Sequence, residues 1–396
     1  MAFYQRVLGI AVLGSVSLLS GCGNFFSCEG KTDCPTTGGG GGTTNTGDFV
    51  YVSNSTAGTT EINGYTLASG TLTAISGGSL NVGYTPIAMV VSPSNGFLYV
   101  ATNGGATNPG IYVYSISSTG ALTEINNNGP IASDDGIASM DISPDGNYLY
   151  TLSTSTIAEV VLNQYQMNTS TGLPTVSNPT TYETAGTSCL ISGTPLSQQC
   201  TVKVSPNEDY VAVALGGYGF EVFPDTGTSP GGITSTVGQL SPSPSSLSGD
   251  YSLAFDTNLN LYVASTTALT PFGSLNGTPV AGTAITYAGG VTPRSVTVSA
   301  NSVYTANEGN GTISGFSFST TGVLTAIAGT PIAGPTNVSA LGIDSTGGYL
   351  VAAGYGTTNG LQVFSISSTG ALTATGTSAG TASDATTVPV VMALSH

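Results

Sequence analysis

Positive charge is almost missing from this chain: 4 Lys plus Arg stand against 20 Asp plus Glu in 396 residues, and only 6% of the sequence is charged. At a net charge of −16 no cation cluster exists to neutralise phosphates and release counterions, which excludes nucleic-acid binding. The same shortage disfavours adsorption to anionic lipid headgroups, which needs polybasic segments. Tryptophan is absent and the one histidine is the final residue, His396, so the interior lacks the usual general acid/base and the commonest metal ligand. What is abundant is Gly, 56 residues, set in a dense Ser/Thr background, with 39% hydrophobic content and 19 Tyr and 12 Phe to build a core. The polar surface is therefore hydroxylic rather than ionic.

Residues 1–21 read as an export signal: Arg6 supplies the charge, and the apolar run 7–19 is too short to span a bilayer. Leu19-Ser20-Gly21-Cys22 resembles the bacterial lipoprotein box, which implies cleavage before Cys22 and acylation of its sulfur. Two or three acyl chains anchor stably where one is marginal. Gly23, not Asp, follows the acylated position, which by the same resemblance favours the outer membrane. Residues 22–47, with five consecutive glycines at 38–42, form a flexible tether, and the globular body is 48–396. Four further cysteines, Cys28, Cys34, Cys189 and Cys200, point to disulfides in an exported chain. Their separations favour Cys28 with Cys34 and Cys189 with Cys200, although three connectivities are open. Neither spacing matches a Cys-x₂-Cys metal-ligand pair, and no metal or other cofactor is expected. The acidic residues Glu61, Asp134, Asp135, Glu159 and Asp250 are expected in solvated loops.

From Asp48 the chain repeats. Apolar blocks end at Ser92, Ser143, Ser205, Asp256, Ser299, Asp344 and Ser395, spaced by 43 to 62 residues, which suits a four-stranded sheet per repeat. Turn residues follow, as in Pro144-Asp145-Gly146, then a second strand with Tyr at a fixed place, as in Tyr99, Tyr150, Tyr262 and Tyr304. The nonapeptide 115–123 recurs unchanged at 365–373. No helical period appears, so the expected fold is all-β: a seven-bladed β-propeller of four-stranded antiparallel blades. The first repeat starts at its second strand, near Phe49, while an orphan inner strand, 389–395, ends the chain. That strand should complete the first blade and close the ring, removing the open edge of a linear stack.

The Ser-Pro-Asp-Gly and Tyr-Val-Ala-Thr-Asn-like cores resemble the YVTN repeats of the lactonase-like propeller family, which includes 6-phosphogluconolactonase-like enzymes. The resemblance implies a site where inner strands begin. Pro293-Arg294 and Asn307-Glu308 fall at the family's Pro-Arg and Asn-Glu positions, while Tyr251 stands where the family has a His. A second Arg is absent: the next inner strand offers Ser339 and Ala340. Arg294 and Glu308 are thus the candidate catalytic pair, Glu308 activating water and Arg294 stabilising the oxyanion, with Tyr251 completing a ligand site. The competing view of the pair is a plain ion pair within one blade. Lys203 and Asp141, two residues before their anchors, are expected to bridge neighbouring blades.

No interior His is available to take a serine's proton, which argues against a triad hydrolase. The expectation is a monomeric, lipid-anchored, extracytoplasmic module that binds a small polar ligand or an envelope protein or glycan, touching the membrane only through its anchor. The alternative is a lactonase acting on a sugar lactone.

Overall fold

The computed structural model describes residues 48–56, 59–102, 108–126, 129–132, 136–154, 159–176, 178–186, 189, 200–225, 232–233, 239–240, 249–273, 275, 279–287, 292–356, 360–379 and 390–396. The export signal, Cys22, Cys28, Cys34, the tether, Asp134 and Asp135 lie outside them.

Seven antiparallel sheets succeed one another along the chain, six of them running outward in chain order from an inner strand and the first taking its inner strand from the C-terminus. In the second blade the order is Ala88–Val91, Phe97–Thr102, Gly110–Ile116 and Leu122–Glu124. The sixth runs Pro293–Val298, Ser302–Asn307 and Thr312–Phe318, its outer edge split between Leu324–Ala326 and Ile332–Ala333. Second strands such as Ser302–Asn307 are buried at every residue, because both faces of each sheet are covered by neighbouring blades. Tyr, Val and Ala fill them continuously for that reason, whereas an outer strand such as Leu372–Ala379 is mostly exposed. The core is therefore a set of layers between blades: Tyr51 and Ile62 of the first pack with Leu98 and Tyr112 of the second, and Tyr304 of the sixth with Leu350 and Phe364 of the seventh.

The anchors act through hydrogen bonds. The Ser92, Ser143 and Ser205 hydroxyls accept from the backbone N–H groups of Phe97, Tyr148 and Tyr210, and Asp256 and Asp344 accept from those of Asn260 and Tyr349. Each closes the hairpin between inner and second strands. Ser395 does the same across the chain ends, accepting from Phe49 N at 2.6 Å, a separation of 346 residues. Met392–Leu394 pairs with Asp48–Thr56, Val50 opposite Leu394, so the C-terminal strand closes the ring as the repeat pattern requires.

The repeated nonapeptide serves inter-blade locking. Its central glycines, Gly120 and Gly370, sit at φ of 82° and 80° and accept from the Tyr51 and Tyr304 hydroxyls of the preceding blades at 2.8 and 2.7 Å. A Cβ on Gly120 would meet the Phe49 ring at 2.6 Å, so glycine is required twice over. Glu61 and Asp250 depart from the loop expectation. They lie on the strands Thr59–Ala68 and Asp250–Phe255, since the β-branched and aromatic residues beside them draw the chain into sheet.

Candidate functional site

Where the inner strands begin, each blade presents the residue five before its anchor: Val390, Ile87, Ala138 and Cys200 on one side, Tyr251, Arg294 and Ser339 on the other. All seven line one cavity of about 170 Å³ at this end of the channel. In four blades the ladder slips at that point, between Ile137 and Ser139, Asp250 and Ser252, Pro293 and Ser295, and Val338 and Ser339's neighbour Ala340. A bulge turns the extra residue out of the ladder, which is how Tyr251 and Arg294 come to line the cavity.

Beneath this ring a belt of hydroxyls ties inner strands together. Ser139, Ser252 and Ser295 accept from the N–H of Val202, Val296 and Leu341, each one blade further on. Thr201 and Ser339 donate to the carbonyls of Tyr251 and Val390, carrying the belt to the C-terminal strand. Lys203 Nζ lies 3.2 Å from Asp141 Oδ1, the inter-blade ion pair the spacing anticipated, and Asp141 Oδ2 also accepts from Val204 N at 2.9 Å. The rim therefore stands on a scaffold of inter-blade hydrogen bonds.

Arg294 and Glu308 meet, with Nη1 and Oε2 3.6 Å apart and both side chains 13% exposed. That distance is an ion pair rather than a hydrogen bond, and Arg294 Nη1 has no hydrogen-bond partner. Glu308 is not among the residues lining the cavity; it stands behind Arg294 on the short 3₁₀ turn Glu308–Asn310. Its backbone N–H donates to Thr292 O, and the preceding Asn307 is fully buried, donating to Ser314 and Thr312 hydroxyls. Asn307 thus fixes the strand end from which Glu308 projects.

Glu308 Oε1 accepts from the Tyr355 hydroxyl of the seventh blade at 2.6 Å. Burial and the adjacent carboxylate push the Tyr355 phenol well above its ordinary range, so it stays a donor. Tyr355 was missed in the sequence, yet the repeat contains it: Gly354 pairs with Val338 as Asn307 pairs with Pro293, so Tyr355 occupies the seventh blade's equivalent of Glu308. Cys200 was expected only as half a disulfide; it is bonded to Cys189, with Cα atoms 5.3 Å apart, and forms part of the cavity wall.

Residues 275–386 match the family model of the lactonase seven-bladed β-propeller. This stretch is similar to that family, and the match ends short of the first four blades. The matched stretch holds Arg294, Glu308 and Tyr355, while Tyr251 lies before it. Among solved structures, the propeller superposes on a Bacteroides fragilis protein provisionally designated a 6-phosphogluconolactonase, with a TM-score of 0.69 at 15% identity, covering 89% of this chain and 99% of that one. The Pseudomonas aeruginosa periplasmic gluconolactonase PpgL gives 0.66 at 15% identity, with 88% and 99% covered. A Desulfotomaculum acetoxidans protein of unknown function gives 0.57 at 14% identity, with 87% and 99% covered. Likenesses at this identity establish the fold. No curated protein sequence matches the chain.

Proposed function

We propose that the channel-end cavity is a lactone site, in which Arg294 receives the lactone carbonyl and water opens the ring. The observation that carries this is the placement of Arg294: it is one of two cations in the propeller, lines the cavity on a bulge, and is backed by a carboxylate that neutralises it without hydrogen-bonding it. A guanidinium in that state retains donors for an oxygen that gains charge as water adds. In the reaction, water oxygen bonds to the carbonyl carbon, the ring C–O bond breaks, and the proton released by water ends on the departing ring oxygen. The products are one hydroxy acid and nothing else. The partial family match and the propeller likenesses support this reading.

A second reading, binding without turnover, is favoured by one observation: Glu308, the candidate water activator, is held by Tyr355 and Arg294 and does not line the cavity. Lactone hydrolysis followed by pH-stat, alongside calorimetric binding, separates the two. Under the lactonase reading, Arg294→Ala lowers kcat/KM by roughly 10² to 10³, the worth of one oxyanion donor. Lactone bound by the wild type but not hydrolysed above background leaves only the binding module, and neither binding nor hydrolysis removes both. We further propose that the propeller works outside the cytoplasm, tethered through acylated Cys22, as a monomer. An envelope protein or glycan stays a partner only if lactones fail.

A further inference from the structure

We infer that Tyr355 is a positioning residue for Arg294: its hydroxyl holds Glu308 off the guanidinium, leaving Nη1 free for a ligand oxygen. The inference rests on Arg294 being the carbonyl donor of the proposed lactone site. A carboxylate and a guanidinium this close ordinarily join through two parallel hydrogen bonds. Here they do not: Glu308 Oε2 stops 3.6 Å from Arg294 Nη1, and Nη1 is buried with no hydrogen-bond partner. The other carboxylate oxygen explains the gap. Glu308 Oε1 accepts from the Tyr355 hydroxyl at 2.6 Å, and turning the carboxylate square onto Arg294 would break that shorter bond.

Each end of this tie is fixed by its own blade. Glu308 follows Asn307, whose buried amide is bonded to Thr305, Thr312 and Ser314, and the turn closes with Gly311 N donating to Asn307 O at 2.9 Å. Tyr355 follows the strand Tyr349–Gly354. Its carbonyl accepts from Asn337 Nδ2, and its ring packs against the apolar layer that holds Leu361 and Val390. Burial and the Glu308 carboxylate raise the phenol, so the hydroxyl remains a donor to Oε1. The same count along the sequence gives Ser55, Asn103, Thr154, Gly216 and Thr266 in the other five blades. One carboxylate and one phenol therefore occur in this series of positions, in adjacent blades, beside the single arginine of the propeller.

The test reads the guanidinium directly, by phenylglyoxal labelling of the full-length protein with mass mapping, alongside binding and hydrolysis of glucono-δ-lactone and γ-valerolactone. Arg6 is the only other arginine, so mapping assigns the label to Arg294. Tyr355→Phe keeps the ring and removes the hydroxyl, and Glu308 should then close on Arg294. Labelling should slow about tenfold, and kcat should fall about tenfold with KM within about twofold. Adding Glu308→Ala to Tyr355→Phe should return labelling to at least the wild-type rate, a rescue that a merely structural role for Tyr355 does not give. Glu308→Ala alone should label no more slowly than the wild type, and slower labelling there overturns the inference even where the tyrosine variant does not fold. A wild type that resists the label, a Tyr355→Phe variant labelled at the wild-type rate, or a slowed variant that Glu308→Ala does not rescue also overturns it. Labelling that falls and recovers as expected, with neither lactone bound or hydrolysed, keeps the role of Tyr355 and removes the lactone reading. Hydrolysis abolished by Arg294→Ala, with labelling indifferent to Tyr355, does the reverse.

Discussion

Deleting residues 389–396 should prevent the propeller from folding, although the piece is a small fraction of the chain. The deletion removes the buried side chains of Val390 and Leu394, at 3% and 8% exposure. It also removes hydrogen bonds that Ser395 makes with Phe49, that Val391 makes with Ser53, that Val390 accepts from Ser339, and that His396 N donates to Asn95. Each buried aliphatic side chain contributes roughly 1.5 to 3 kcal/mol and each hydrogen bond about 1 kcal/mol. The loss is then roughly 9 to 12 kcal/mol, as large as the whole stability of a typical domain. Leu394 also fits the seventh blade closely: a Cβ on Gly342 would lie 2.6 Å from its Cδ1. Urea unfolding followed by tyrosine fluorescence and circular dichroism is the assay. The truncated chain should show no cooperative transition, Leu394→Ala should cost about 2 to 5 kcal/mol, and a synthetic 389–396 peptide added in excess should restore the transition. A truncated protein with the wild-type urea midpoint would refute the reasoning, because it would mean that the first blade does not need its inner strand.

Three further outcomes are expected. Replacing Cys189 and Cys200 by Ser should lower stability by roughly 2 to 3 kcal/mol, the chain-entropy value for a loop of this length, and mass mapping without reduction should find the two linked; free thiols in the native protein would remove the argument. Burial raises the phenols of Tyr51, Tyr99 and Tyr150 above their ordinary value, so stability is full below about pH 10 and falls as the pH rises beyond it, where the unfolded chain ionises first. A urea midpoint that does not drop between about pH 8 and pH 11 would contradict that. Finally, Cys22→Ala should move the protein from the membrane fraction to the soluble one, and membrane association that survives the change with no acyl label would exclude the anchor.

Architecture was legible from the residues because a propeller repeats its local chemistry. Anchors such as Ser143 and Asp344 recur where a hairpin needs an acceptor, glycines at 120 and 370 recur where a neighbouring tyrosine needs a carbonyl, and a chain that starts on a second strand and ends on an inner one has to close on itself. The Lys203 and Asp141 pair was legible for the same reason, since equivalent positions in adjacent inner strands are neighbours. What spacing along the chain does not encode is the direction of each side chain at the strand ends. There a one-residue bulge decides whether Arg294 turns into the cavity, and a short 3₁₀ turn decides that Glu308 stands behind it, held by Tyr355 from 47 residues away.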